Sequence, residues 1–299
     1  MTFKRTLSGR SNLPAFLGVN FVIYTEGGEF DKEKKQSSHS IDAVFWKGFF
    51  SRFLPKFSYE IRPLGSKDNL LPHAQDVAAS KVKNTIVAMD RDHDHHRLCL
   101  IDHPCVIYTY GYSWENDAWR AEAIISKLER ISTKGINTDT AEAIRDKCRN
   151  FSLDFNRLIF VDVLCSLKRV QGIHREKFWG YVDISDANRF RVKKEAFKKL
   201  IGTIKNGRVD KFQYNGQERV VAERDCYGKL WAKFLYGIFC ECFREVTGQK
   251  NLNREIADML VAEHFQHTDL DRDPELRDYY QGIAAVLNRR VIKGHILQR

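Results

Sequence analysis

The sequence predicts an α/β fold, with an N-terminal parallel sheet flanked by helices and a mainly helical C-terminal domain. Three observations support this prediction. Strand-like apolar runs alternate with helical periodicity from residue 15 to about residue 115. Beyond about residue 118 helical spacing dominates. The length of 299 residues suits two domains better than one or three. We therefore expect a sheet domain over residues 1–135 and a helical domain over residues 136–299.

The N-terminal elements follow one another in a β-α-β-α-β order. Strands are expected at Asn20–Thr25, Ser58–Leu64, Thr85–Met89 and Cys105–Thr109, and helices at Ile41–Leu54 and Lys67–Lys81. Pro55 directly follows the first helix and ends it, because proline has no amide donor and clashes with the preceding turn. This order predicts parallel strands, whose carboxyl ends share one edge of the sheet and carry its functional site.

The C-terminal region contains five segments with helical spacing. They are Asp154–Val170, Arg191–Ile204, Asp225–Val246, Arg254–His267 and Leu276–Leu287. One interruption, residues 211–221, places Asn215-Gly216 between two alternating runs and predicts a small hairpin. We expect this domain to contact RNA or a partner protein.

The excess of basic charge calls for an acidic partner. The net charge is +10 and the isoelectric point is near 9.2. The densest basic tract comprises Arg189, Arg191, Lys193, Lys194, Lys198 and Lys199. These side chains are expected to bind the phosphates of a nucleic acid, although a solvated helix face explains the lysines equally well. Phe190 and Phe197, which lie between them, are expected in the core rather than stacked on bases.

Cysteine usage and the absence of an apolar segment indicate the compartment. The seven cysteines are scattered, odd in number and without a Cys-x-x-Cys pair, so reduced core thiols are expected. The N-terminus has early charge but no following apolar region, and no run of about eighteen apolar residues occurs. We therefore expect a cytoplasmic protein that has no membrane partner.

Three carboxylates follow two neighbouring strands of the predicted sheet. Glu26 follows the first strand, and Asp90 and Asp92 follow the third at alternate positions. In an extended chain, alternate side chains lie on the same side. At roughly 4 Å and an effective dielectric near 20, each pair repels by about 4 kcal/mol unless a cation joins them. Oxygen ligands of this kind suit Mg²⁺ or Mn²⁺.

These residues and their neighbours also have explanations that involve no ligand site. Asp90 and Asp92 alone would be explained better by a solvated strand-end turn, and the addition of Glu26 reverses that preference. Lys67 follows Gly65-Ser66, where it either meets a phosphate or simply follows an N-cap serine. His93, His95 and His96 suggest zinc, but a solvated loop or a phosphate contact is favoured because no spaced cysteines accompany them.

Four segments together resemble the Toprim-like nucleases, a group related to the OLD nucleases. They are Tyr24–Gly27, Gly65–Lys67, Asp90–Asp92 and Tyr110–Asn116. Within that group, length and segment order are similar to the nuclease subunits of PARIS phage-defence systems. The resemblance covers roughly the first 120 residues. It implies a Toprim-like catalytic domain in which Glu26, Asp90 and Asp92 hold the divalent metal.

The resemblance also implies further site residues. Toprim sites commonly add acidic groups, and Asp94, Glu29 and Glu115 are available here. Asp94 or Glu115 could hold a second ion. Alternatively, Glu26 acts as a general base and leaves the aspartates as the principal ligands. The choice between these two mechanisms stays open at the level of sequence.

The function implied by the resemblance is a latent, metal-dependent endoribonuclease that cleaves tRNA as the toxic effector of abortive infection. It also implies an ABC-class ATPase partner that holds the nuclease, and an active homodimer after release. One alternative is a DNA nuclease of the OLD type. Another is an inert regulatory or scaffold subunit.

Overall fold

The computed structural model describes residues 6–28, 30–31, 36–37, 40–133, 135–186, 189–206, 219–267 and 269–296. The chain forms two compact units that interleave along the sequence. The first comprises Met1–Asp90, Ile101–Tyr110 and Ala262–Arg299, and the second comprises Arg91–Leu100 and Gly111–Val261. The sequence predicted a single division after residue 135. In the structure the segment Ala262–Arg299 groups with the first unit instead.

The secondary structure is mainly helical. The helices are α1 Leu7–Ser11, α2 Leu13–Leu17, α3 Ile41–Phe53, α4 Lys67–Ala78, α5 Trp114–Ala118, α6 Ala121–Ile131, α7 Thr138–Leu167, α8 Lys194–Asn206, α9 Ala222–Asp225, α10 Gly228–Thr247, α11 Arg254–His264 and α12 Pro274–Ile296. The strands are β1 Phe21–Thr25, β2 Phe30–Asp31, β3 Gln36–Ser37, β4 Tyr59–Pro63, β5 Thr85–Met89, β6 Val106–Tyr108, β7 Val182–Asp183 and β8 Arg191–Val192.

The first unit is built on a four-stranded parallel sheet. Its strand order is β4-β1-β5-β6, and every neighbouring pair is parallel. All five residues of β5 are buried, as are the last four residues of β1. The apolar runs that predicted these strands are therefore the two central strands of the sheet. The predicted parallel sheet with flanking helices is confirmed.

Aromatic side chains form the core of the first unit around α3. Phe45 and Phe49 are fully buried on this helix. The ring of Phe45 lies 4.5 Å from that of Phe265, and the ring of Phe49 lies 5.3 Å from that of Tyr280 on α12. Burial of such rings contributes about 1.5–3 kcal/mol each relative to exposure. Helix α12 is therefore part of the core of this unit.

The second unit is built around the thirty-residue helix α7. Phe151 on this helix stacks on Phe155 at 4.2 Å and contacts the rings of Trp231 and Phe234 on α10. The indole of Trp231 donates a hydrogen bond of 2.7 Å to the carbonyl oxygen of Trp119. This bond satisfies the polar atom of a large buried side chain.

Three predicted helices begin at least three residues away from their start in the structure. Helix α7 begins at Thr138 rather than at residue 154, because Asn137 caps it and accepts a 2.7 Å bond from the Thr140 amide. Helix α8 begins at Lys194, since residues 191–192 form strand β8 and pair with β7. Helix α10 begins at Gly228, after the separate short helix α9. The predicted hairpin at 211–221 lies almost entirely outside the described residues.

Within the described chain, no helix has both the length and the hydropathy needed to span a membrane.

Candidate functional site

The strand order of the first unit identifies the sheet edge at which a ligand site is expected. The chain leaves β1 for β4 on one side and then crosses to β5 on the other side of β1. Strands β1 and β5 are therefore neighbours at a point where the strand order reverses. In open parallel sheets, ligands bind beyond the carboxyl ends of the strands at such a point. Glu26 and Asp90 are the residues that directly follow these two strands.

Glu26 contacts the end of β5 directly. Its Oε1 atom accepts a 2.9 Å hydrogen bond from the backbone amide of Asp90. This bond is charge-assisted, so it fixes the carboxylate against the neighbouring strand end. Two residues that are 64 positions apart in the chain are thus joined as the parallel sheet predicted. The structure confirms that Glu26 and Asp90 meet at one edge.

The turn after Glu26 depends on glycine. Gly27 has a φ of 73°, in the left-handed region, and a Cβ atom there would lie 2.5 Å from the Ser40 hydroxyl oxygen. Gly27 and Gly65 exchange backbone hydrogen bonds of 3.2 and 3.3 Å. The loops that follow β1 and β4 are therefore tied together beside the Glu26 carboxylate.

Lys67 extends this cluster from the start of α4. Its Nζ atom donates a 2.9 Å hydrogen bond to the carbonyl oxygen of Asp90. Ser66 precedes the helix, but its side chain makes no capping hydrogen bond. The side-chain N-cap explanation for this segment is therefore not supported. The ammonium group of Lys67 lies at the same strand end as Glu26 and Asp90.

Asp42 is an acidic residue near this turn that the sequence did not indicate. It is 5% exposed at the start of α3, and its Cβ lies 3.3 Å from the position of a Cβ atom on Gly27. The helical spacing of Ile41–Phe53 gave no reason to separate Asp42 from an ordinary first-turn acid. Its burial beside the Glu26 turn is the distinguishing feature, and only the fold reveals it.

The geometric reason for pairing Asp90 with Asp92 was wrong. Strand β5 ends at Met89, and Asp92 has a φ of 49°, so the chain is not extended at Asp92. Strand alternation therefore does not place its side chain. Asp92 belongs to the second unit, where its amide donates a 2.7 Å bond to the carbonyl of Tyr112. Burial raises the pKa of the Tyr112 hydroxyl, and the Asp92 charge raises it further.

Asp94 lies in the turn that follows. Its Oδ1 atom lies 3.4 Å from a guanidinium nitrogen of Arg97 and 3.4 Å from the Cys99 sulfur. The Asp94 side chain is 20% exposed. Its role as a ligand for a second ion stays a prediction.

Glu115 occupies the first turn of α5. The Ser113 hydroxyl donates a 2.6 Å bond to its Oε2 atom, and Asn116 completes a capping box with Ser113. Burial raises the pKa of Glu115, and the hydrogen bond from Ser113 opposes that effect. The segment Tyr110–Asn116 therefore has a structural explanation in the capping of α5, and metal binding by Glu115 stays a prediction.

The three histidines after Asp92 are not in a solvated loop, contrary to the sequence-based expectation. His93 is 3% exposed and His95 is 8% exposed. The Nε2 atom of His93 donates a 3.0 Å bond to the backbone oxygen of Asp225. The Nε2 atoms of His95 and His96 lie 3.3 and 3.4 Å from Oδ1 of Asp225. The partner of this tract lies about 130 residues further along the chain, where no pattern indicated it.

Burial sets the ionisation of this cluster. It lowers the pKa of His95 to about 4 and lowers the pKa of His93, so both rings are neutral at pH 7. Burial would raise the pKa of Asp225, but His95, His96 and Arg224 together lower it below its usual range. Asp225 is therefore an ionised carboxylate that is completely shielded from solvent.

Arg175 is a second residue that the sequence did not indicate. Its guanidinium lies 5.2 Å from the ring centre of Tyr112 and 5.3 Å from that of Tyr227. It donates a 2.5 Å bond to Asp162, whose side chain is fully buried. A cation between two aromatic rings and one carboxylate is held in a defined position.

The predicted nucleic-acid tract is exposed as expected. All six basic residues of this tract are exposed, namely Arg189, Arg191, Lys193, Lys194, Lys198 and Lys199. Phe190 is 3% exposed and packs 5.4 Å from Phe234, which confirms its core position. Phe197 is only half-buried and lines a groove of about 610 Å³ with Phe160, Arg157 and other residues. Aromatic and basic side chains thus meet on one surface of the second unit.

The cysteines are free thiols, but the predicted core position holds for only some of them. Four of the seven are buried, and Cys99 alone is exposed. Burial raises the pKa of the Cys165 thiol to about 12 and that of Cys242 to about 11. These thiols are inert at neutral pH.

No protein-family model matches the chain, and no curated protein matches it either.

Proposed function

We propose that this chain is a metal-dependent endonuclease of the Toprim type, most specifically an endoribonuclease that cleaves tRNA. The observation that carries the proposal is the Glu26 carboxylate fixed against Asp90 at the strand-order reversal, with Lys67 at the same strand end. Two acids and one lysine at such an edge suit phosphodiester chemistry, which needs both hard oxygen ligands and positive charge.

Carboxylates of this kind suit a divalent ion by their chemistry, but the group of three ligand atoms within 4.8 Å of one another in the described chain does not include them. Glu26 and Asp90 supply carboxylate oxygens, and Asp92 is the third predicted ligand along the chain. When bound, Mg²⁺ or Mn²⁺ supplies charge neutralisation at the phosphate and a more acidic water. The hydrogen bond from the Asp90 amide occupies one oxygen of Glu26, so it orients the other for a ligand.

The roles of the protein residues follow from their positions. Lys67 donates to the Asp90 carbonyl, and the same ammonium group can donate to a nonbridging phosphate oxygen while keeping this bond. Glu26 either holds the ion or accepts a proton from the attacking water. The Asp90 amide fixes its orientation in both cases. This bond restricts the carboxylate before substrate arrives.

RNA is the favoured substrate because of the surface of the second unit. The exposed basic tract from Arg189 to Lys199 provides phosphate contacts, and the groove beside Phe160 and Phe197 provides aromatic faces. Single-stranded RNA loops are recognised by this combination of stacking and charge. The choice of tRNA, the phage-defence role, the ABC-class ATPase and the active homodimer rest on the resemblance to AriB, the nuclease subunit of PARIS.

The decisive experiment compares Glu26→Gln with Glu60→Gln. Glu60 is an exposed glutamate on the neighbouring strand β4, so it controls for loss of one negative charge. Each purified protein is incubated with Mg²⁺ and either total tRNA or duplex DNA. We expect RNA fragments with wild type and Glu60→Gln, and at least a hundredfold slower cleavage with Glu26→Gln.

The alternatives give different results. Cleavage of DNA alone would establish the OLD-type nuclease. Host toxicity that survives Glu26→Gln, with neither polymer cut by wild type, would establish the inert regulatory subunit. A second measurement tests the metal directly: 100 Kd of Mg²⁺ stabilises a single site by about 2.7 kcal/mol. This rise in melting temperature should disappear in an Asp90→Ala, Asp92→Ala double variant.

A further inference from the structure

His95, His96 and Asp225 form a compact group of potential metal ligands within the second unit. One ligand atom from each residue lies within 4.8 Å of the other two. Among the described residues this is the one group of three or more His, Cys, Asp or Glu side chains with that spacing. The side chains of His95 and His96 are 4% and 2% exposed, and that of Asp225 is fully buried.

The distances within this group match those between ligands of one ion. For zinc–ligand bonds of about 2.0–2.1 Å at tetrahedral angles, neighbouring ligand atoms lie about 3.3 Å apart. The Nε2 atoms of His95 and His96 lie 3.3 and 3.4 Å from Oδ1 of Asp225. Hydrogen bonds between nitrogen and oxygen are shorter, typically about 2.7–3.2 Å. The spacing therefore suits a shared ion better than a direct hydrogen bond.

The imidazole of His96 supports the same conclusion. Its Nε2 atom is buried and makes no hydrogen bond within the described chain. A buried polar atom without a hydrogen bond destabilises the folded state. The atom is directed at the Asp225 carboxylate, so an ion between the two would remove this cost.

The surroundings hold the ligands in place. Oδ2 of Asp225 accepts bonds of 2.8 Å from the Val221 amide and 2.9 Å from Arg224. Arg224 Nε also donates a 3.0 Å bond to Oδ1. This oxygen has a second lone pair, which can bind a metal ion. His93 fixes the segment by its 3.0 Å bond to the Asp225 carbonyl. Outer contacts of this kind orient carboxylate and histidine ligands in metal sites.

The ligand set selects the class of metal. Two imidazole nitrogens and one carboxylate oxygen suit zinc and similar transition ions, whereas Mg²⁺ prefers oxygen ligands alone. Three protein ligands leave a fourth position, which a water molecule completes. The positive charge of Arg224 on the same carboxylate weakens the site relative to one with an unshared acid.

We propose that His95, His96 and Asp225 bind one Zn²⁺ ion. The ion joins the segment after β5 to the end of α9, two parts of the second unit that lie about 130 residues apart in sequence. Closure of such a long loop by a metal restricts the unfolded chain strongly. The ion holds the segment that carries Asp92 and Asp94. None of its three ligands is a carboxylate of the proposed nuclease.

The test is the zinc content of the full-length protein after dialysis against Zn²⁺ and then buffer. Four proteins are compared: wild type, His96→Gln, His264→Gln and Glu26→Gln. His264 is a buried histidine outside the cluster, and Glu26 tests binding at the sheet edge. We expect about one equivalent in wild type and both controls, and at least tenfold weaker binding in His96→Gln.

Cobalt gives a second measurement that requires no variant. Co²⁺ in a four-coordinate nitrogen and oxygen site absorbs visible light, and Zn²⁺ should abolish this absorption while Mg²⁺ should not. The proposal is overturned if wild type retains no zinc and shows no cobalt band. It is also overturned if His96→Gln retains full zinc binding, or if Glu26→Gln loses it.

Discussion

Asp162 is a fully buried acid whose replacement has an effect on stability that can be calculated from its contacts. Its Oδ1 atom accepts a 2.7 Å bond from the Ile173 amide, and Oδ2 accepts a 2.5 Å bond from Arg175. The Asp162 side chain has no exposed surface, whereas 31% of the Arg175 side chain is exposed. The change Asp162→Ala removes both bonds and leaves the guanidinium between two tyrosine rings without its carboxylate.

The magnitude follows from these contacts. Removing one partner of a buried ion pair costs about 3–5 kcal/mol, and the partial exposure of Arg175 reduces this to about 3 kcal/mol. The change Asp162→Asn keeps an oxygen acceptor for the Ile173 amide and should cost about half as much. At a urea m-value near 3 kcal/mol per M, a loss of 3 kcal/mol lowers the unfolding midpoint by about 1 M.

The assay is urea unfolding followed by circular dichroism and tryptophan fluorescence. Asp154→Ala is the matched control, because Asp154 lies on the same helix but is exposed. It should change the unfolding free energy by less than about 0.5 kcal/mol. If Asp162→Ala unfolds at the same urea concentration as this control, the buried pair does not stabilise the second unit.

Three further predictions concern other parts of the chain. Burial lowers the pKa of His73 below its unfolded value near 6.5. The folded state therefore binds fewer protons, stability falls as the pH drops below about 6.5, and His73→Gln should flatten that slope in thermal melts from pH 8 to 5. In Gly228→Ala the new methyl group would overlap the Ser113 hydroxyl and lower the free energy of unfolding by about 1–3 kcal/mol. In Gly202→Ala the methyl group faces open space in α8, so the free energy of unfolding should rise by about 0.5–1 kcal/mol. Melting temperatures that move together in these two variants would contradict this. Iodoacetamide should modify the exposed Cys99 first and leave Cys226 unmodified in the native state, since burial raises the Cys226 pKa. Equal rates for both thiols by mass spectrometry would refute the structure-based assignment.

The central sheet could be predicted because its strands are local signals. Residues 85–89 form an uninterrupted apolar run, and the structure has a strand at Thr85–Met89 with every residue buried. The meeting of Glu26 with Asp90 followed from one rule, that parallel strands end at a common edge. Both inferences need only the residues of the strands themselves and the order of elements.

The direction of Asp92 could not be predicted in the same way. Strand alternation applies only while the backbone is extended, and the backbone at Asp92 has a φ of 49°. The burial of His95 was missed for a different reason. Its environment depends on Asp225, and sequence periodicity gives no information about which distant segment packs against a loop.

The packing of α12 in the first unit could not be predicted for the same reason as the burial of His95. The apolar positions between residues 276 and 287 predicted a helix with a buried face, but many surfaces could bury that face. The contact between Tyr280 and Phe49 shows that α3 buries this face. The two residues are 231 positions apart in the sequence. Helix formation is a local property, whereas the partner of a helix is a property of the whole chain.

The position of α12 has a consequence for synthesis on the ribosome. Domains generally fold as units while the chain is being made, but the core around α3 lacks Phe265 and Tyr280 until the ribosome has passed residue 280. Until then the nascent chain carries Glu26 and Asp90 on a sheet domain whose aromatic core is incomplete. A ribosome that stops before codon 262 releases a fragment whose aromatic helix face has no cover, and chaperones or proteases would act on it first.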